Sequence, residues 1–199
     1  MGVSLQKKPE LFILALILGA GFIFKNEVEA AVTSSGDWFT RYDADFKAAS
    51  KKYGIPWRWI KAVSMNESLI GTARSVAYGI LNPQDVEGSK SSDGKSWGLM
   101  QTTLATSREL IGAPITQAYL NVPKNSIDLG SRYLRQMWDR FSKYDEATRR
   151  EYMVRAYNGG PGFLNTNLGR TATPIYYAKF VTNLGTVMSR QPGNEKEIG

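Results

Sequence analysis

Residues 57–68 read WRWIKAVSMNES, and this stretch decides the fold class. Pro56 suits the first turn of a helix, and Ile60 and Val63 share one stripe. The spacing predicts a helix over about Trp57–Ser68 with a side that meets a core. Glu67 stands seven residues after Ile60. At about 100° per residue the turn between them is about 700°, so Glu67 points within about 20° of Ile60. A carboxylate aimed at a core is costly, and burial raises the pKa of the group. A carboxylic acid that keeps its proton near neutral pH is what general-acid chemistry requires. A helix that ended one turn early would leave the same residue in water as an ordinary surface acid.

The neighbouring segments repeat the helical pattern. Upstream, Asp37 is placed to cap a helix carrying Trp38, Phe39, Tyr42, Phe46 and Ala49, with Gly54 as its stop. Downstream, residues 71–97 lose periodicity and are rich in Gly, Ser and Asp. They read as a long loop or a small hairpin region of the kind that lines a site. A short helix is expected over Thr103–Ile111. A longer one covers Asn125–Tyr144, with Ile127, Leu134, Met137, Trp138 and Phe141 inward. Asp145 caps the next, which runs to Asn158 and stops at Gly159-Gly160. Thr173-Pro174 opens the last, carrying Phe180, Leu184 and Met188. Residues 191–199 read as a polar, mobile tail.

Composition narrows the chemistry. The chain has 199 residues, of which 42% are hydrophobic, with neither cysteine nor histidine. Disulfide frameworks, thiolate zinc sites, cysteine nucleophiles and histidine-based triads are therefore excluded. Proton transfer falls to Asp, Glu, Lys or Tyr. Net charge is +7, and the first 30 residues contribute nothing to it because Lys7, Lys8 and Lys25 offset Glu10, Glu27 and Glu29. A basic surface suits a polyanion, an acidic wall polymer included. No nucleic-acid-binding motif or aromatic-basic stripe is present. No metal or cofactor is implied.

Lys7 and Lys8 precede the uncharged run Leu11–Phe24, and Val28-Glu29-Ala30-Ala31 offers a small-residue cleavage pattern. Residues 1–30 read as a signal peptide or, uncleaved, as an inner-membrane anchor through residues 11–24. Either reading places residues 31–190, the expected catalytic domain, in the periplasm.

Two further stretches carry chemistry. Residues 98–101, GLMQ, combine a glycine turn, two apolar groups and an amide. Residues 156–162, AYNGGPG, close a helix with a phenol, an amide and glycines that admit a bulky ligand to the backbone. Glu67-Ser68, then GLMQ, then AYNGGPG, in that order, resembles the soluble lytic transglycosylase domain of the lysozyme-like superfamily. Asn125-Ser126-Ile127, Gly130 and Tyr133-Leu134 look like a further helix of that family. Thr173 with Tyr176 or Tyr177 looks like its closing helix. The resemblance covers about residues 38–188.

The resemblance implies a mainly α fold of the α+β lysozyme-like kind. In it a helical bundle surrounds a sugar cleft, with a small hairpin or loop region at about 70–98. It implies cleavage of the bond between N-acetylmuramic acid and N-acetylglucosamine in peptidoglycan, with Glu67 as sole acid and base and a 1,6-anhydro product. Ser68, Gln101, Tyr157 and Asn158 would line the cleft and orient the sugars. Met100 would pack beneath the substrate, and Tyr176 or Tyr177 would bond near Glu67. Thr173 favours Tyr176 by spacing, whereas Tyr177 falls on the apolar stripe, so both are retained.

Two departures keep alternatives open. The segment between Glu67 and Gly98 is long, and residues 93–101 also resemble goose-type lysozymes, which carry an acid where Thr103 stands. A hydrolytic lysozyme using Asp85, Glu87 or Asp93 is the alternative enzyme. A non-catalytic peptidoglycan-binding component of a secretion, conjugation, pilus or phage machine is the alternative of another class. A compact catalytic domain of this size also suits local wall opening on behalf of such an assembly.

Overall fold

The computed structural model describes residues 38–71 and 95–199. The expected signal or anchor, the Asp37 cap and most of the 71–97 loop, with Asp85, Glu87 and Asp93, lie outside the described residues. Among those described are seven α-helices and one two-stranded antiparallel sheet. The helices are α1 (Asp43–Tyr53), α2 (Trp57–Ser68), α3 (Leu104–Ile111), α4 (Gln117–Asn121), α5 (Pro123–Arg140), α6 (Glu146–Gly159) and α7 (Asn167–Arg190). A 3₁₀ turn at Phe163–Asn165 precedes α7. The strands are β1 (Ser96–Trp97) and β2 (Thr102–Thr103), paired Ser96 to Thr103 and Trp97 to Thr102. The hairpin thus straddles GLMQ, C-terminal to much of the region expected to hold it. None of the described helices is long and apolar enough to cross a membrane.

The core gathers around α2. Ten of its twelve residues are buried, Arg58 and Lys61 among them. The helix therefore has no solvent stripe; the two residues that are not buried are Asn66 and Glu67, in its last turn, and both are only partly exposed. α2 packs against α1, α5 and α7, and Ile60, Val63, Ile127, Met153, Val154 and Phe180 fill the space between them.

The helix ends follow local chemistry. Gly54 ends α1 in the left-handed conformation (φ 65°) with its N–H on the Ser50 carbonyl. Asp145 caps α6 by accepting from the N–H groups of Ala147 and Thr148, both at 3.1 Å. Thr103 is the N-cap of α3, one position before the first helical residue, where the helix itself was expected to open. The long helix starts at Pro123, where the missing N–H costs nothing, and stops at Arg140.

Two expectations are corrected. Pro174 lies inside α7, which already begins at Asn167 under a Thr166 cap. Packing of this helix against α2 and α6 outweighs the local cost of an interior proline. Residues 191–199, expected to be a mobile tail, are instead held against α2. The Arg58 guanidinium, 4% exposed, donates to the carbonyls of Gln191 (3.3 Å), Pro192 (3.3 Å) and Asn194 (2.7 Å) and to the Glu197 carboxylate (2.5 Å). Lys61, fully buried, donates to Gln191 Oε1 and Asp43 Oδ1, both at 2.6 Å. Burial pushes the Lys61 ammonium down to about 8, against the Asp43 hydrogen bond. Trp59 Nε1 and Arg150 both donate to Glu195. The segment is polar because its partners are buried cations and their neighbours.

Candidate active site

Glu67 sits in the last turn of α2, just before two buried residues in the left-handed region, Leu69 (φ 49°) and Ile70 (φ 56°). A β-branched residue there is costly, and such strain persists where the surroundings over-determine the backbone. The reversal fixes the end of the helix beside the turn 98–101.

That turn is pinned from three helices. Ser68 Oγ donates to the Leu99 carbonyl at 2.8 Å from α2. Ser126 Oγ accepts the Met100 N–H at 3.0 Å from α5. The Tyr157 hydroxyl donates to the Met100 carbonyl at 2.7 Å from α6. Gly98 takes φ 74°, and a Cβ there would lie 2.1 Å from the Leu120 carbonyl oxygen, so only glycine fits. Gly130 leaves room for Met100, whose side-chain atoms would stand 2.6–2.8 Å from a Cβ at that position. Gln101 (φ 49°) folds its amide back to donate to the Gly98 carbonyl at 2.7 Å.

The result is a cleft of about 360 Å³. Glu67, Gln101, Tyr133, Tyr157 and Asn158 meet there, with Ser96, Thr102, Thr103, Thr106 and Gly160 completing the wall. Among the described residues Glu67 is the only carboxyl group lining it. The Tyr176 hydroxyl donates to Glu67 Oε1. Burial raises Glu67 from the ordinary 4.5 to about 7, while the Tyr176 bond and the Lys179 charge pull the other way. Tyr157 and Tyr176 are pushed well above the usual phenol range by burial and by the nearby Glu67 charge, so both remain proton donors.

The predicted residues divide into three groups. Glu67, Gln101, Tyr157 and Asn158 come together in the cleft, and Tyr176 reaches Glu67. Ser68 and Met100 do not line it. Ser68 is 3% exposed and holds the Leu99 carbonyl, and the Met100 side chain is fully buried under Gly130. Both act on the turn, which is why the motif spacing selects them. Tyr177, half-buried, stacks on Phe180 at 5.8 Å against the edge of the core and is not among the residues of the cleft wall. Sequence reasoning misses Tyr133, whose ring packs 5.4 Å from that of Tyr157. Its place inside the Tyr133-Leu134 motif is the signal that could have found it. The threonines of the wall carry none, because nothing in their spacing separates a cleft hydroxyl from a surface one.

The two tyrosines give a direct test. Tyr176→Phe is expected to lower the rate roughly tenfold, because it removes the phenol hydrogen-bonded to Glu67. The rate of Tyr177→Phe should stay within about twofold of wild type, as a packed ring keeps its contacts. Initial rates of wall clearing by the two variants check this, and equal losses would return Tyr177 to the site.

The described residues thus form a mainly helical bundle whose cleft carries one carboxyl group beside buried phenols. Residues 45–179 match the family model described as the Transglycosylase SLT domain, and the chain belongs to that family. It is similar to the membrane-bound lytic murein transglycosylase C of Serratia proteamaculans (strain 568), at 27% identity over 157 residues. That match covers 74% of this chain and 37% of the relative. The fold is similar to that of the 70 kDa soluble lytic transglycosylase SLT70 of Escherichia coli, with a TM-score of 0.56 and 20% identity. That match covers 92% of this chain and 28% of the solved one. The chain therefore spans little more than a third of the length of the curated relative and under a third of that of the solved one.

Proposed function

We propose that this protein is a peptidoglycan lytic transglycosylase with Glu67 as its single acid and base. The observation that carries the reading is a half-buried carboxyl group, raised by burial to about 7, in a polar cleft within the residues that match the SLT family. Protonated Glu67 donates to the glycosidic oxygen as the bond from muramic C1 breaks, and the bonding pair leaves with the glucosamine. The 2-acetamido oxygen supports the cation at C1. Glu67, now a carboxylate hydrogen-bonded by Tyr176, takes the proton of the C6 hydroxyl while O6 bonds to C1. The acid is regenerated and no water is consumed. Gln101, Tyr157 and Asn158 orient the sugars, with Tyr133 against Tyr157; Ser68 and Met100 hold the turn that presents Gln101.

Among the described residues the cleft wall holds no second carboxyl group, which supports transglycosylation over hydrolysis. Inverting hydrolysis needs a second carboxylate to activate water. Thr103 occupies the position where goose-type lysozymes carry one, and there it caps α3. Digestion of purified cell walls, followed by mass spectrometry, tests the reading. Anhydro-ended muropeptides, lighter than reducing-end fragments by one water, are expected. Reducing ends would establish the lysozyme instead, and unchanged walls would favour a binding component. The rate should fall as pH rises through about 7, where Glu67 loses the proton it must donate.

The apolar run 11–24, together with the name of the Serratia relative, supports action on the periplasmic side, either released or held at the inner membrane.

A further inference from the structure

The phenol that meets Glu67 comes from a helix with a weak point just before it. Pro174 cannot donate to the Arg170 carbonyl, so the backbone ladder of α7 lacks a rung two residues ahead of Tyr176. The position of Tyr176 against α2 then depends on contacts from outside its own helix. One such contact is explicit. Asn66 Nδ2, on the residue beside Glu67, donates to the Tyr176 main-chain carbonyl at 3.0 Å. Its other end, Asn66 Oδ1, accepts from Asn183 Nδ2 at 2.6 Å, two turns further along α7. One amide thus spans the α2–α7 seam, bonded at two levels of α7 beside the residues that face Glu67.

We propose that Asn66 and Asn183 are a positioning pair that sets where the Tyr176 hydroxyl meets Glu67. Neither amide lines the cleft. The asparagine at 183 fixes the orientation of Asn66: with Oδ1 occupied as an acceptor, Nδ2 is left to face the Tyr176 carbonyl. The Tyr176 side chain is thereby anchored at its backbone, and its hydroxyl lands on Oε1. Among the described residues the other groups facing Glu67 are Lys179 on α7 and Tyr157 on α6, with Tyr133 of α5 on the same cleft.

The inference rests on Glu67 acting as acid and base, and its test has a readout that does not. Asn183→Leu keeps the side-chain volume and removes the donor, with Asn183→Ala as a second variant if Leu does not fold. The titration of Glu67, followed by ¹³C NMR of the resting protein, is expected to move upward by about half a pH unit or more as the Tyr176 bond loosens. The basic limb of the pH–rate profile should move with it. The value of kcat should fall roughly tenfold while KM stays within about twofold, since the sugar contacts are untouched. Asn183→Gln, which restores a donor, should recover part of both effects. A merely structural role would lower the melting temperature and leave the Glu67 titration where it is in wild type. That result would overturn the proposal. If wild type cleaves no wall polymer, the functional reading fails, and the NMR titration alone still decides the pair.

Discussion

Glu67→Gln is expected to abolish wall cleavage and, at alkaline pH, to make the protein more stable. The loss of rate should be roughly a thousandfold or more, the range for removing a sole general acid and base. The gain in stability follows from the direction in which burial moves the carboxyl group. Glu67 is raised in the folded protein from 4.5 to about 7, so between those values the folded state holds a proton that the unfolded chain has released. Stability contributed by that proton is present below about pH 4.5 and is lost as pH rises through about 7. The penalty above pH 7 is on the order of 3 kcal/mol, since each pH unit between the folded and unfolded values is worth about 1.4 kcal/mol. Glutamine removes the titration and can still accept the Tyr176 bond. Thermal unfolding should therefore give coincident melting temperatures for wild type and variant near pH 4.5. By about pH 8 the variant should be higher by several degrees. Equal melting temperatures at that pH would mean that Glu67 ionises as it does in water, and the shielded-acid account would fail with it.

Removal of residues 191–199 is expected to be the most damaging change far from the cleft. It strips Arg58 of its carbonyl partners and of Glu197, and strips Lys61 of Gln191. Both side chains belong to α2, towards its opposite end from Glu67. Leaving a buried cation without its partner costs on the order of 3–5 kcal/mol. For a domain of this size the melting temperature should fall by roughly 6–20 °C. Glu197→Ala, which keeps the carbonyl cradle around Arg58, should lose markedly less. A truncated protein that melts within about 2 °C of the full chain would mean that water replaces the segment without cost, contrary to the burial of Arg58 and Lys61.

The main helices were legible because their signals are local. The Trp57–Ser68 span, the Gly54 stop and the Asp145 cap depend on residues within a turn or two of one another. The start of α7 was misplaced for the same reason: Pro174 reads as a helix opener, and only contacts with α2 and α6 carry the helix through it. The tail was misread because polarity alone does not distinguish a segment bonded to water from one bonded to a buried arginine. In the site, Glu67 was visible from its angular position. The tyrosine beside it was narrowed by the family resemblance to Tyr176 or Tyr177 and no further.

What the sequence determined by itself is the inventory and its order: one acid at the end of an apolar helix, a glycine turn, a Tyr-Asn helix end, and no histidine or cysteine to share the work. Helix periodicity and turn chemistry are short-range, so they survive without knowledge of the fold. The tertiary structure decided that Tyr176 meets Glu67 while the half-buried Tyr177 packs against the core beside Phe180, and that Ser68 and Met100 hold the turn while Gln101 faces the cleft. It also tied the last nine residues to α2. Each of these depends on which groups meet across tens of residues of chain. A difference of one residue turns a helical side chain by about 100°, enough to send one phenol to Glu67 and its neighbour to Phe180.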